Sequence, residues 1–274
     1  MSKIIFLGTG TSQGIPMIGC NCHVCRSTSR KDKRLRTSAY IEHEGFKILI
    51  DCGPDFRQQM LNEGIIEVDA VLLTHNHKDH TGGLDDIRAF NYFTHKPFPI
   101  YSEEYVQKSI KMEYSYAFAE KKYPGAPEYN LQTINEEPFY ITKTDSNNVE
   151  KRLKITPIRV MHFKLPIFGY RIGDLIYITD AKTIPASEYA KMKGGKILVI
   201  NAIRYEPHMS HFCFDEAVEQ AIKINAEATY ITHQSHQIGT HKELTELIEK
   251  KYKDGEQAMP KKLAPAYDGL ELIF

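Results

Sequence analysis

The sequence has no excess of either charge: 35 Lys and Arg stand against 35 Asp and Glu. Dedicated nucleic-acid binders usually show a basic excess, so no stable nucleic-acid partner is expected. No apolar run approaches the roughly 20 residues of a membrane-spanning helix, and no membrane partner is expected. The first apolar run, Ile4-Ile5-Phe6-Leu7, is stopped by Gly8. It is too short for a signal-peptide core and reads as a first strand, so a cytoplasmic location is expected. Cysteine is scarce, with five residues: Cys20, Cys22, Cys25, Cys52 and Cys213. An odd count with three thiols crowded together is not a disulfide framework; it reads as metal ligation in a reducing compartment. No tandem repeat is present. The stretch Gly8-Thr9-Gly10-Thr11-Ser12-Gln13-Gly14 is not a dinucleotide fingerprint, because its third glycine is one place late and no long helix follows. It reads instead as backbone brought close to a metal site or a substrate phosphate.

What is present suits a folded α/β protein. Of 274 residues, 42% are apolar and 26% charged, enough for a sizeable core. A single domain over residues 1–274 is expected. Lys31, Lys33, Arg34 and Arg36 make a local basic run that reads as a solvated loop. Apolar periodicity predicts strands at 3–7, 37–43, 46–50, 69–74, 98–101, 153–160, 168–172, 175–179, 196–201, 228–232 and 262–266. It predicts helices at 55–62, 84–91, 103–121, 186–193, 214–225 and 241–252, the last opened by a Thr240/Glu243 capping box. Gly173 and Asp174 turn a hairpin between 168–172 and 175–179. Residues 122–149, broken by Pro124, Gly125, Pro127, Asn147 and Asn148, read as an irregular connection. Strands mixed with helices indicate a layered α/β protein with mixed sheets.

The densest chemistry lies in His75-Asn76-His77-Lys78-Asp79-His80, which follows the strand 69–74. Imidazole suits transition metals and carboxylate suits harder cations. The same habit recurs along the chain. Asp51, His75, His162, Asp180 and His233 each stand at the exit of a predicted strand. Side chains at strand ends can converge on one sheet edge, where rigid elements hold them. His75 and His77 can face one ion while Asp79 and His80 face a second. His162, Asp180 and His233 are available to complete both sites, with Asp180 able to bridge them. Separately, Cys20-Asn21-Cys22-His23-Val24-Cys25 offers three thiolates to a zinc ion, which needs a fourth ligand. His236, three residues beyond His233, is the first choice, and His23 the second.

In order and type these motifs resemble those of the metallo-β-lactamase superfamily. The resemblance rests on Leu7-Gly8-Thr9-Gly10-Thr11-Ser12, Leu49-Ile50-Asp51-Cys52-Gly53, the His75–His80 run, His162, Ile178-Thr179-Asp180 and Ile231-Thr232-His233. It implies an αββα sandwich of two mixed sheets. It also implies that His75, His77 and His162 hold one divalent ion and that Asp79, His80 and His233 hold another. Asp180 would lie between the two, with Asp51 a buried structural acid. The ions would be zinc or manganese, with iron a third option. The Cys-x-Cys-x-x-Cys loop and the tail Ala266-Tyr267-Asp268-Gly269-Leu270-Glu271 resemble the branch typified by phosphoribosyl cyclic phosphodiesterase. In that branch three Cys and one late His hold a structural zinc, which favours His236.

The function this implies is hydrolysis of a small cyclic phosphate or nucleotide phosphodiester by a hydroxide shared between two ions. Asp79 and His211 are the catalytic candidates, His211 as general acid from its place in that branch. Arg204 and Tyr205 are candidate phosphate contacts, and the roles of His208 and His241 stay open, although His241 opens a helix where amides favour anions. Two alternatives share the motifs. A tRNA 3′-processing endonuclease would normally carry a basic RNA-holding arm, and none stands out. A thioester or lactam hydrolase is the other. Oligomeric state is open, a homodimer included.

Overall fold

The structure, a computed structural model, describes residues 2–144, 147–255 and 258–274. It contains two seven-stranded mixed sheets. The first is built from β1 (Lys3–Gly8), β2 (Ser38–His43), β3 (Phe46–Ile50), β4 (Ala70–Leu72), β5 (Phe98–Ser102), β6 (Tyr129–Thr133) and the terminal β14 (Glu271–Ile273), in the order β14-β1-β2-β3-β4-β5-β6. The second contains β7 (Phe139–Thr144), β8 (Glu150–His162), β9 (Leu165–Ile172), β10 (Leu175–Ile178), β11 (Ile197–Asn201), β12 (Ala228–Thr232) and β13 (Leu263–Pro265), in the order β13-β12-β11-β10-β9-β8-β7. Each sheet makes three antiparallel pairings and then three parallel ones. The two halves are thus laid out alike, with β3 and β10 at matching places.

Side chains alternate across each strand, and here both faces are covered. Ile4, Phe6, Ile48, Ile50 and Leu72 meet Phe168, Tyr170, Leu175, Tyr177 and Val199 in the layer between the sheets. A short helix, α1 (His23–Arg26), lies in the connection after β1. The opposite residues of the first sheet, Ile5, Leu7, Leu49, Val71 and Leu73, pack under α2 (Phe56–Asn62) and α5 (Glu104–Glu113). Those of the second, Ile176, Ile178, Leu198, Ile200 and Ile231, pack under α7 (Phe214–Ile224) and α8 (His241–Asp254). Strands buried on both faces read as continuous apolar runs, which is why the central ones were legible. The result is the expected αββα sandwich.

The differences from expectation concern edges and helix ends. Residues 122–149 hold two strands, β6 and β7, where an irregular connection was expected; positions 145 and 146 lie outside the described residues. Both are edge strands with half-exposed or exposed side chains such as Asn130, Gln132 and Thr142, so they lack an apolar signature. The expected helix 103–121 stops at Glu113 and continues as a 3-10 turn. Residues 84–91 divide into a 3-10 turn and α4 (Arg88–Thr94), and 186–193 into a 3-10 turn and α6 (Tyr189–Met192). No described helix is long and apolar enough to cross a membrane.

Because β3 and β4 run parallel, and β8, β10 and β12 run in one direction, their carboxyl ends gather at one edge of the sandwich. The loop of His75 to His80, including the short α3 (Lys78–Thr81), packs backbone to backbone against the exit of β3. A Cβ on Gly53 would stand 2.1 Å from the Asp79 carbonyl, and one on Gly83 2.0 Å from the Gly53 carbonyl. Gly8 and Gly10 serve a similar purpose: added Cβ atoms would meet Arg36 O at 2.0 Å and Arg34 O at 2.8 Å. Their smallness thus admits a neighbouring chain segment, and Gly10 also pairs with Gln234, next to His233. Gly53→Ala is expected to lower unfolding free energy by about 2–3 kcal/mol through this overpacking. A urea melt indistinguishable from wild type would contradict the close approach.

Candidate metal centre

Sharp turns present the site. Asp51, Asp180 and His233 follow β3, β10 and β12 with left-handed backbones, φ 60°, 57° and 52°. Such conformations are uncommon for non-glycine residues and concentrate at functional sites.

The hydrogen bonds behind the centre determine which imidazole nitrogen carries the proton. Asp51 is fully buried and accepts the Thr74 amide at 2.8 Å and the Thr74 hydroxyl at 2.9 Å. With its single proton committed to Asp51, Thr74 Oγ1 accepts from His75 Nδ1 at 2.9 Å. Asp51 also accepts from His80 Nδ1 at 2.7 Å. His162 Nδ1 lies 2.8 Å from the Asp180 carbonyl and 3.0 Å from the Ser210 carbonyl, both pure acceptors. Thr37 donates to the Gly10 carbonyl at 2.7 Å and so accepts from His233 Nδ1 at 3.2 Å. Four imidazoles are thereby anchored through an Nδ1 proton, with Nε2 turned inward. The Nε2 atoms of His75 and His80 are buried with no hydrogen-bond partner. An unpaired buried polar atom costs roughly 1–3 kcal/mol, and two side by side fit a site built for a cation.

The remaining donors close around them. His77, exposed, places its ring 4.6 Å from that of His75 and 5.1 Å from that of His162. His80 Nε2 lies 3.3 Å from both Asp79 Oδ2 and Asp180 Oδ2. Asp180 Oδ1 lies 3.1 Å from His233 Nε2. Donor atoms within 4.8 Å of one another form three sets, His75/His80/Asp180, Asp79/Asp180/His233 and His162/Asp180/His211, and Asp180 belongs to all three. All seven side chains named from the sequence as active-site ligands thus meet at one edge.

The electrostatics keep the carboxylate charged. Burial alone would raise the Asp180 pKa, but the fields of His233 and His80 outweigh it and hold it well below the usual range. Burial pushes His75 and His162 down, and takes His233 to about 4. His80 moves the other way, since Asp180, Asp79 and Asp51 overcome the effect of burial.

His211 is arranged differently. Its Nε2 donates to Asp180 Oδ1 at 3.1 Å, because a carboxylate can only accept. Its ring stacks on His233 at 5.0 Å, and its Nδ1 faces Ser210 Oγ at 3.0 Å and His208 Nδ1 at 3.1 Å. No carbonyl or carboxylate stands behind its Nδ1, so it presents an Nε2–H to the centre. Arg204, by contrast, is turned onto the carbonyls of Glu206 and Pro207, and Tyr205 packs on Phe214. His241 offers no anion site, since Asp32 already accepts its backbone amide at 2.6 Å.

A second cluster lies on the same loop as His233. His236 Nδ1 stands 3.2, 3.4 and 3.8 Å from the sulfurs of Cys20, Cys22 and Cys25. A tetrahedral zinc with ordinary Zn–S and Zn–N lengths needs about 3.6 Å between such atoms, so the donors fit that ion. The Cys22 thiol is drawn down to about 6, first by the Cys25 amide and then by His236 among others. His23 is turned away, 3.1 Å from Glu243. Arg34, read from its basic neighbours as solvated, is 1% exposed. Its guanidinium donates to the Ser235 and Gly239 carbonyls on either side of the His236 turn. Only the folded chain brings those carbonyls to it, and no local pattern announces them.

Comparison with known proteins agrees with this geometry. Residues 47–234 match the family model described as β-lactamase superfamily domain. A protein of Porphyromonas gingivalis named octanoyltransferase is 40% identical over 275 residues, covering 99% of this chain and 51% of that protein. The chain therefore spans about half the length of that curated relative. The crystal structure of a diphosphatase from the PhnP family superposes with TM-score 0.84 at 34% identity, covering 100% of this chain and 98% of that one. Zn(2+)-bound PqqB from Methylobacterium extorquens shares the fold at TM-score 0.72 and 18% identity, over 99% and 100% of the two chains. From the strand-end turns to the inward nitrogens, this chain belongs to the metallo-β-lactamase superfamily of hydrolases.

Proposed function

We propose that the 274 residues act as one catalytic unit, a metal-dependent phosphodiesterase for a small cyclic phosphate or a nucleotide phosphodiester. The observation that carries this reading is the division of labour among the imidazoles. Four are anchored at Nδ1 with Nε2 turned inward, while His211, with no carbonyl or carboxylate behind its Nδ1, brings an Nε2–H to the same carboxylate. His75, His77 and His162 would hold one divalent ion, and Asp79, His80 and His233 the other, with Asp180 between them. The ions would be zinc or manganese, with iron a third option, and a structural zinc would be held by Cys20, Cys22, Cys25 and His236. Bound there, divalent ions supply Lewis acidity toward phosphoryl oxygens and lower the pKa of water from 15.7 to about 7.

The protein's own groups do the rest. Asp51 and Thr74 orient His75 and His80, and Thr37 orients His233. Asp79, in contact with His80, would orient the attacking water. His211 gives its Nε2 proton to the departing oxygen, which as a sugar alkoxide is a poor leaving group. The likeness to a diphosphatase along the whole chain supports phosphoryl chemistry over other hydrolyses.

One observation favours a second reading. The relative named octanoyltransferase matches through half of its length, so hydrolysis of an acyl thioester is the alternative. Release of octanoate from an octanoyl thioester, assayed beside cyclic phosphates and a precursor tRNA, separates acyl, phosphodiester and ribonuclease activities.

Three outcomes are expected. His77→Ala, at an exposed position, should lower turnover by ~100-fold or more with an unchanged melting temperature; wild-type rates would defeat the assignment. His211→Ala should slow diesters with alkoxide leaving groups by about 10²–10⁴ and spare activated aryl esters. Equal losses on both would remove the proton-donor role. Cys22→Ser should reduce bound zinc and lower the melting temperature while the folded fraction keeps its activity; full zinc content in that variant would contradict the site.

A further inference from the structure

Among the described residues, eight non-glycine side chains stand on a left-handed backbone, and four of them, Asp51, Phe163, Asp180 and His233, belong to the loops that form the centre. Asp180 and His233 aim a polar group at it, and Asp51 anchors His80 from behind. Phe163 is the exception, the only apolar side chain of the eight, with φ 56° and 49% of its surface exposed. His162 pairs with Leu165, so Phe163 and Lys164 form a two-residue hairpin turn directly after a ligand candidate. Such a turn with positive φ at its first position favours glycine. A bulky ring there is disfavoured and half in water, and neither local geometry nor core packing accounts for it.

A second loop at the centre also exposes an apolar side chain. Met209 is 68% exposed, between His208 and His211. The two loops are tied by the hydrogen bond from His162 Nδ1 to the Ser210 carbonyl, 3.0 Å. Lys164 Nζ lies 5.5 Å from the Phe163 ring centroid. The rim beside His162 and His211 therefore carries a flat aromatic face, a polarisable thioether and an ammonium group. Aromatic faces and thioethers both favour planar rings, and a nearby cation favours a phosphate.

We propose that Phe163, with Met209, is a stacking platform for a nucleobase, so that the substrate's phosphodiester carries a nucleoside. This rests on the phosphodiesterase reading above and narrows its substrate class. Phe163 contributes specificity by contact, while the metal ligands and His211 act on phosphorus.

The test uses the zinc- or manganese-loaded protein and two pairs of probes. Binding of adenosine monophosphate and of ribose 5-phosphate is measured by calorimetry, and kcat/KM on adenosine 2′,3′-cyclic phosphate and on a ribose cyclic phosphate without a base. Phe163→Ala should weaken adenosine monophosphate about tenfold or more and leave ribose 5-phosphate unaffected, with the same split in kcat/KM. Phe163→Tyr should restore nucleotide binding, and Met209→Ala should give a smaller loss of the same kind. Phe163→Gly should show the nucleotide loss with a melting temperature no lower than wild type, since glycine suits the turn. Equal weakening of both ligands, undiminished nucleotide binding, or a sharp loss of stability in the glycine variant would overturn the platform. Nucleotide binding that depends on Phe163 without turnover of either diester would support it and remove only the phosphodiesterase reading.

Discussion

Four imidazoles can turn their lone pairs toward one point only if each keeps its proton on the far nitrogen. In this chain that condition is met by buried acceptors behind the rings: Asp51 for His80, Thr74 for His75, the Asp180 and Ser210 carbonyls for His162, and Thr37 for His233. Asp51 is central, since it also fixes the Thr74 hydroxyl that serves His75. Groups of this kind orient metal ligands and raise their basicity. Without them the cluster would be a collection of titrating side chains; with them it is a preorganised cation site.

The fold supplies the geometry through repetition. Each sheet begins with antiparallel strands and ends with parallel ones, and β3 and β10 occupy equivalent places. Asp51 and Asp180 follow those strands in the same left-handed conformation. Two acids with one structural origin thus carry different work, one buried behind the histidines and one among them. The amino-terminal loop joins from outside the sheets. Arg34 grips the carbonyls on either side of the His236 turn, and Gly10 O accepts the Thr37 hydroxyl that in turn accepts from His233. The cysteine cluster and the histidine–aspartate centre therefore share a scaffold.

Much of this was legible in the sequence, because residues at strand exits are close to the strand's own signal. β3, β4, β10 and β12 are buried on both faces and announce themselves as apolar runs, and Asp51, His75, Asp180 and His233 follow at once. Three of the four edge strands were not legible: β6, β7 and β14 expose much of one face and hide their alternation among polar residues, whereas β13 had been expected at 262–266. His211 stood out only through the family resemblance, since 31 residues separate it from Asp180 and nothing local links them. Thr37 was missed for the same reason, its partner being 196 residues away. Arg34 was misread because a run of basic residues looks solvated until the distant carbonyls that bury it are known. Phe163 carried a faint signal, a phenylalanine where a tight hairpin prefers glycine, which gains meaning only once its turn is seen beside the centre.

The proposal that these nitrogens and carboxylates are held ready for two divalent ions is open to direct observation. Anomalous diffraction from crystals of the metal-loaded protein, with elemental analysis of the same sample, addresses it directly. Two ions are expected among His75, His77, Asp79, His80, His162, Asp180 and His233, and a further zinc among Cys20, Cys22, Cys25 and His236. Absence of any ion from the first cluster under saturating zinc or manganese would contradict it.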